Sequence, residues 1–179
     1  MSRRSRFALI VPLVLLLAWF GVKAWIRGHV DDLIQHAVGA PLPTFALADQ
    51  DGRVWRNADL LGKRVVLHFF RSACGACVAE APALRELEAA LPPDTVLLHV
   101  MTDRVLGFPP EQTAATLRHD GFGAPVLMAD QPFVDSLHSV RWSNVTPVTY
   151  IVDRAGTVRF GLRGTQSRAA IEAALAAAR

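Results

Sequence analysis

The sequence predicts an α/β domain, a mixed sheet flanked by helices, preceded by one N-terminal helix apolar enough to cross a membrane. Three observations predict it. Apolar runs that read as strands alternate with helix-favouring runs through the middle of the 179-residue chain, the order that builds a parallel sheet. Two further apolar runs flank the turn Asp153-Arg154-Ala155-Gly156 and are followed by an Ala-rich segment, which adds an antiparallel hairpin and a closing helix. Ahead of all this, residues 7–22 are 16 consecutive apolar, Gly or Pro residues.

At a rise of about 1.5 Å per residue, about 20 helical residues span the hydrocarbon layer. Residues 24–26 extend the apolar run past Lys23, whose long stem carries its charge to the interface. Arg3, Arg4 and Arg6 precede the run, so the positive-inside rule places the N-terminus in the cytoplasm and the rest of the chain outside. A cleaved signal peptide shares the charged start and apolar middle, with Val22-Lys23-Ala24 as its small-residue site. The lysine at that point and the flanking Trp19 and Trp25 favour a retained anchor. Both readings export the domain. We therefore expect an anchor over 1–27, a linker or helical stalk over 28–40, and a domain over 41–179, the boundary lying at Gly39-Ala40-Pro41-Leu42-Pro43.

Within the domain, 45–48 and 53–55 form an extended pair around Asp49-Gln50-Asp51-Gly52, and 60–63 turns the chain into the apolar strand 65–70. A helix follows over 78–90, stopped after Leu91 by Pro92-Pro93; Pro82 removes one of its backbone donors and should kink it. Next come a strand over 96–101, a loop over 102–110, a helix over 111–120, a strand over 125–128 and a short helix over 133–140. Strands 149–152 and 157–161 make the late hairpin, expected at the sheet edge, and Ser167 caps a last helix to Ala178.

Both cysteines of the chain, Cys74 and Cys77, lie between the 65–70 strand and the 78–90 helix. The C-x-x-C spacing there puts Cys74 at a helix N-terminus and Cys77 one turn inside on the same face. Unpaired N–H groups and the positive end of the helix dipole favour the thiolate of the first cysteine. Cys74 is thus the attacking thiol. Cys77 is near enough to attack the resulting mixed disulfide and release the reduced partner. A static bridge closing so short a loop restrains the unfolded chain little and is a poor staple. Half a zinc site needs further paired ligands, and the six histidines (His29, His36, His68, His99, His119, His138) show no such pairing. The net charge of +3 owes much to the N-terminal arginines, and no Lys/Arg run with interleaved aromatics occurs elsewhere, which argues against nucleic acid as a partner. An exported cysteine pair sits in an oxidising compartment.

These residues resemble the thioredoxin superfamily: C-x-x-C after an apolar strand, Pro82 five residues beyond Cys77, and the step Val145-Thr146-Pro147 before a strand. More narrowly, Cys77-Val78-Ala79-Glu80-Ala81-Pro82-Ala83-Leu84 is similar to the C-x-x-E-x-P-x-L continuation of the membrane-anchored TlpA/ResA/DsbE group. The lead-in Pro43-Thr44-Phe45-Ala46-Leu47, then Asp51-Gly52, Leu61-Gly62-Lys63 and Asp153-Arg154-Ala155-Gly156 resemble that group too. The likeness covers about 41–179. It implies a thioredoxin-like fold, thiol-disulfide exchange without a cofactor or metal, and a single-pass inner-membrane protein whose domain faces the periplasm. The implied partners are client proteins with disulfides or cysteine pairs, apocytochrome c among them, and a membrane electron donor or acceptor.

The resemblance also implies roles for particular residues. Pro147 is expected to have a cis peptide bond and to face the cysteine pair, with Thr146, Gly75 and Ala76 contacting substrate. Glu80, one turn after Cys77, is expected to be a partly buried acid that moves the Cys77 proton; a first-turn glutamate complementing the helix dipole would occupy the same position. The chain departs from the group at Ala73, where a Trp is usual, and at Gly75-Ala76, where prolines are common. Arg71 adds a positive charge that lowers the Cys74 pKa if it points toward the sulfur. His68 reads as a satisfied core or edge histidine, and Trp142 as a neighbour of the site or of the core. Three other readings stay open. A copper metallochaperone on this fold would need His138 as third ligand, a peroxidase would want Thr or Ser where Arg71 stands, and a strong oxidant would donate its disulfide.

Overall fold

A computed structural model describes residues 3–138 and 145–178, with side chains from residue 11 onward. The chain divides into two compact units, Met1–Leu33 and Ile34–Arg179. The first consists of most of helix α1 (Arg3–Gln35), which is continuous through Pro12. Its segment Val11–Gln35 is long and apolar enough to cross a membrane. Leu13, Leu15, Leu17, Trp19, Phe20 and Trp25 are all exposed, so the helix is apolar around its circumference, as a span or a signal sequence is.

The second unit holds strands β1 (Ala46–Ala48) and β2 (Val54–Arg56), a 3-10 turn at Asn57–Leu60, β3 (Arg64–Phe70), α2 (Gly75–Glu88) and β4 (Thr95–Met101). It continues through α3 (Asp103–Leu106), α4 (Pro110–Asp120), β5 (Val126–Met128), α5 (Gln131–Leu137), β6 (Val148–Val152), β7 (Val158–Arg163) and α6 (Arg168–Ala177). Five strands form one sheet in the order β5-β4-β3-β6-β7, while β1 and β2 pair separately. β3, β4 and β5 are parallel; β6 is antiparallel to both β3 and β7. The late hairpin therefore supplies only one edge strand. Its first strand enters the interior beside β3, and that brings the residues just before it next to the start of α2.

Side chains alternate across β3. Val66 packs with Leu84 and Leu87 of α2 and Ile171 and Leu175 of α6. On the opposite face Phe69 packs 6.0 Å from the Phe133 ring and 5.9 Å from the Tyr150 ring. Each such fully buried side chain contributes about 1.5–3 kcal/mol. α2 begins at Gly75 with Cys74 as its cap, as the C-x-x-C spacing predicts, ahead of the helix-favouring run 78–90, and it runs unbroken through Pro82. The expected loop 102–110 contains α3, closed by Gly107 at a φ of 74°, a left-handed conformation open to glycine. α5 starts at Gln131 because the Asp130 side chain accepts the Phe133 N–H at 2.9 Å. The end of its expected span, 139–140, lies outside the described residues, as does Trp142. Ser167 caps α6 as expected, accepting the Ala170 N–H at 3.2 Å.

Part of the expected linker 28–40 packs onto the second unit. Ile34, Ala37 and Leu42 are buried, and Gly39 N–H donates to Val158 O at 2.8 Å while Val158 N–H donates to Ala40 O at 2.9 Å. Residues 34–40 thus belong to the second unit. Gly161 in β7 makes room for this packing: a Cβ there would sit 2.7 Å from Ile34 Cγ2, 3.1 Å from Tyr150 Cε1 and 3.2 Å from the Ile34 carbonyl. Gly161→Ala is expected to destabilise the protein by about 1–3 kcal/mol, the usual cost of overpacking. Denaturant unfolding reads this directly, and an unchanged midpoint would show that Ile34 is not seated there.

Candidate active site

β3 delivers the chain to a tight loop, 71–74, that ends at the cap of α2. The loop is fixed from below by Asp103, itself 1% exposed. Its carboxylate accepts the Ser72 N–H at 2.7 Å, the Ser72 hydroxyl at 2.5 Å and the Thr113 hydroxyl at 2.8 Å. Ser72 Oγ also lies 2.7 Å from Thr116 Oγ1. Ala73 takes a φ of 54°, a left-handed conformation that costs a non-glycine residue about 1 kcal/mol, which this buried network holds in place. The Arg71 guanidinium donates to the Ser72 and Ala73 carbonyls at 2.8 and 3.2 Å, so its charge is tied to the loop.

Cys74 and Cys77 are joined as a disulfide with Cα atoms 5.2 Å apart. Cys74 Sγ accepts the Cys77 N–H at 3.1 Å, the helix-terminal donor that stabilises a thiolate once the bond is reduced. Both cysteines are largely covered, 6% and 3% exposed, whereas Gly75 and Ala76 between them are exposed. A groove of about 460 Å³ runs beside the pair, lined by Arg71, Cys74, Cys77, Gln112, Thr116 and His119 among others.

The Thr146–Pro147 peptide bond is cis, as the resemblance implied. It faces the pair: the Thr146 carbonyl oxygen lies 3.8 Å from Cys74 Sγ, and the Thr146 hydroxyl donates to that sulfur at 3.5 Å. Pro147 is buried, and its carbonyl accepts the Gly164 N–H at 2.9 Å, which fixes the step against the end of β7.

Glu80 is fully buried. Oε1 accepts the Gln166 N–H at 2.8 Å, and Oε2 lies 3.3 Å from His68 Nε2. That separation is within ion-pair reach, but the two atoms are not aligned as a full hydrogen bond. A surface glutamate answering the helix dipole would be solvated, so full burial favours the proton-handling reading. His68 is not an isolated core histidine, for its Nδ1 is 2.9 Å from His99 Nδ1. Burial and the neighbouring His68 push the His99 pKa well below its usual value.

His138 is on the other side of the sheet. Its ring packs 4.8 Å from Phe69, and its Nδ1 lies 3.1 Å from the Tyr150 hydroxyl. Phe69 points away from the face where Phe70 packs with the cysteines. The copper reading therefore loses its third ligand. Among the described residues no group of three His, Cys, Asp or Glu is placed to hold a metal ion.

Sequence reasoning brings together Cys74, Cys77, Glu80, Thr146 and Pro147 as found here, with Gly75 and Ala76 at the rim. It misses Asp103 and Ser72, whose contact joins the loop after β3 to the start of α3. It also misses His99. The one available signal was the repeated Leu-His step, Leu67-His68 and Leu98-His99, in two strands expected to be parallel neighbours.

A model of the AhpC/TSA family matches residues 38–160. The thiol-disulfide oxidoreductase ResA of Geobacillus thermodenitrificans (strain NG80-2) is 27% identical over 169 residues, covering 94% of this chain and 93% of that protein. The thiol:disulfide interchange protein DsbE homolog of Paracoccus denitrificans (strain Pd 1222) is 28% identical over 161 residues, covering 86% and 84%. Among solved structures, the exposed lipoprotein thioredoxin of Streptococcus pneumoniae strain TIGR4 superposes with a TM-score of 0.63 at 26% identity, over 75% of this chain and 99% of that one. A thioredoxin-family thiol:disulfide interchange protein from Chlorobium tepidum TLS gives a TM-score of 0.63 at 21% identity, over 79% and 97%; at that identity the likeness is one of fold.

Proposed function

The chain belongs to the AhpC/TSA family and is a thiol-disulfide oxidoreductase, and from that premise we propose that it is a membrane-tethered reductant of exported proteins. The observation that carries the proposal is the Cys74–Cys77 disulfide at the head of α2, beside the cis Thr146–Pro147 step and with Glu80 buried one turn further on. In the reduced protein the Cys74 thiolate attacks a client disulfide and forms a mixed disulfide, releasing one client thiolate. Cys77 passes its proton to the Glu80 carboxylate and attacks Cys74 Sγ. The mixed disulfide breaks, the client leaves with both of its sulfurs reduced, and Cys74–Cys77 closes, so two electrons have moved to the client.

Thr146 and Pro147 offer the adjoining backbone to the client strand, and exposed Gly75 and Ala76 leave room for it. The client class is exported proteins carrying a disulfide between close cysteines, apocytochrome c being the example implied by likeness to ResA and DsbE. A membrane donor of the thiol-transfer type recharges the pair. Residues 1–27 act as an uncleaved anchor in the inner membrane, with Arg3, Arg4 and Arg6 on the cytoplasmic side.

The deciding measurement is the equilibrium potential of the Cys74/Cys77 couple against glutathione. A reductant lies nearer the thioredoxin value of about −270 mV than the value of about −120 mV of a strong oxidant; a potential nearer the latter reverses the proposed direction. Glu80→Gln tests the proton step. It is expected to slow resolution of the mixed disulfide by about 100-fold at neutral pH, read by stopped-flow release of a client thiol. Unchanged kinetics across pH would remove Glu80 from the mechanism.

A further inference from the structure

The buried polar atoms behind the cysteines do not end at Glu80. His68 and His99 pair in register across the parallel strands β3 and β4, and both are fully buried. The chain of contacts runs from the Gln166 N–H to Glu80 Oε1 at 2.8 Å, from Glu80 Oε2 to His68 Nε2 at 3.3 Å, and from His68 Nδ1 to His99 Nδ1 at 2.9 Å. Glu80 Oε2, His68 Nε2 and His99 Nε2 are each buried without an aligned hydrogen-bond partner among the described residues; the first two approach each other, and the third belongs to a ring stacked 3.7 Å from Phe122.

Two nitrogens 2.9 Å apart must share one proton, so the tautomers of the two rings are linked. With Glu80 ionised, His68 carries its proton on Nε2 and offers it to the carboxylate, while its bare Nδ1 accepts from His99 Nδ1–H. With Glu80 protonated, the carboxyl donates to a bare His68 Nε2, and His68 Nδ1–H donates to a bare His99 Nδ1. Each imidazole is neutral in both arrangements. The proton count differs by one, and that one is the proton on Glu80.

We propose that His68 and His99 are positioning residues that can hydrogen-bond Glu80 in both of its protonation states, by a small turn of His68 from its 3.3 Å approach and a joint exchange of tautomers. Leaving a buried polar group unpaired costs about 1–3 kcal/mol, and a partner that only donates, or only accepts, would impose that cost on one of the two states. The paired imidazoles remove it from both, so Glu80 can take the Cys77 proton and give it back with neither state stranded. Because the far end is closed by Phe122, the assembly is a switch and not a conduit to solvent. The inference rests on the reading of Glu80 as the proton acceptor for Cys77.

The titratable groups facing this cluster are few. α2 contributes Cys77 and Glu80, β3 contributes His68 and β4 contributes His99. β6 presents Thr149, in register with His68, and the lead-in to α6 presents the Gln166 N–H. Beyond the cysteines, His119 and Asp120 of α4 line the groove and are paired with each other at 3.0 Å. Burial of His99 disfavours its charged form.

The test is nitrogen NMR of the full-length reduced protein, labelled with 15N-histidine and held in detergent micelles, from pH 6 to pH 9. Protonated and bare ring nitrogens have widely separated shifts, so each tautomer is read directly. The expected result is an inversion of both rings at one shared midpoint: His68 Nε2–H and His99 Nδ1–H on the alkaline side, His68 Nδ1–H and His99 Nε2–H on the acid side. Glu80→Gln should hold the acid-side tautomers at every pH, because its carboxamide N–H donates permanently to His68 Nε2. Rings that keep one tautomer throughout, or that change at separate midpoints, overturn the proposal. His99→Phe, which keeps an aromatic ring against Phe122, is expected to slow mixed-disulfide resolution by about tenfold, as for a catalytic acid mistuned by one pKa unit, and to flatten its pH profile. A wild-type profile in that variant overturns the proposal as well. Failure of the Glu80 reading would look different, with normal resolution in Glu80→Gln whatever the tautomers do.

Discussion

Cys77→Ser is expected to halt the protein after its first half-reaction, lowering turnover by at least about 1,000-fold, as removal of an essential nucleophile does. The product should be a stable mixed disulfide between Cys74 and a client. The assignment follows from the unequal surroundings of the two sulfurs. Cys74 caps α2 and accepts the Cys77 N–H at 3.1 Å and the Thr146 hydroxyl at 3.5 Å, two donors that favour its thiolate. Cys77 is 3% exposed and shares with Cys74 the cluster of Phe70, Met101 and Val126, but it lies one turn inside α2, away from the helix-terminal N–H donors. Cys74→Ser should accordingly trap nothing. Both variants are read by non-reducing gel and intact mass after incubation with an exported extract or a model disulfide peptide. Trapping by Cys74→Ser instead would reverse the roles, and wild-type turnover by Cys77→Ser would remove the dithiol mechanism.

The parts of this site legible in the sequence are those written locally. The cap position of Cys74 and the covered position of Cys77 follow from three-residue spacing at a strand-to-helix junction, and the same helix periodicity puts Glu80 one turn on. Thr146–Pro147 needed a family resemblance, since nothing in its own residues distinguishes a cis bond. The rest depends on the pairing of distant strands. His68 and His99 are 31 residues apart, and only the parallel register of β3 with β4 makes them neighbours. The grip of Asp103 on Ser72 spans the same separation and lies in a stretch that reads as loop, because a helix of four residues leaves no periodicity to detect. The packing of 34–42 onto the second unit depends on distant pairing as well. Helix α1 continues to Gln35, and the hydrogen bonds that tie 39–42 to 156–158 join segments that sequence spacing cannot relate.

The buried histidines also set how the fold responds to acid. Burial pushes the His138 pKa down to about 4, and burial with the adjacent His68 holds His99 well below its usual value. In the unfolded chain both titrate near about 6.5. The unfolded state therefore binds more protons than the folded state below that pH, so the stability these residues confer is intact above it and falls as pH drops toward the folded values. One such histidine removes about 1.4 kcal/mol per pH unit within the window. Going from pH 7 to pH 5 should thus cost about 2 kcal/mol through His138, a sizeable part of a typical domain stability of about 5–15 kcal/mol, with His99 acting in the same direction. Asp94 shifts the other way along the scale. Hydrogen bonds from Arg154 and then Arg64 hold its pKa down to about 2, so it responds below this range and does not confuse the measurement. Urea unfolding at pH 7, 6 and 5 supplies the slope. His138→Gln, which can still meet the Tyr150 hydroxyl, should lessen the loss between pH 7 and pH 5 by about 2 kcal/mol; an undiminished loss in the variant would mean that the His138 imidazole is not held neutral by the fold.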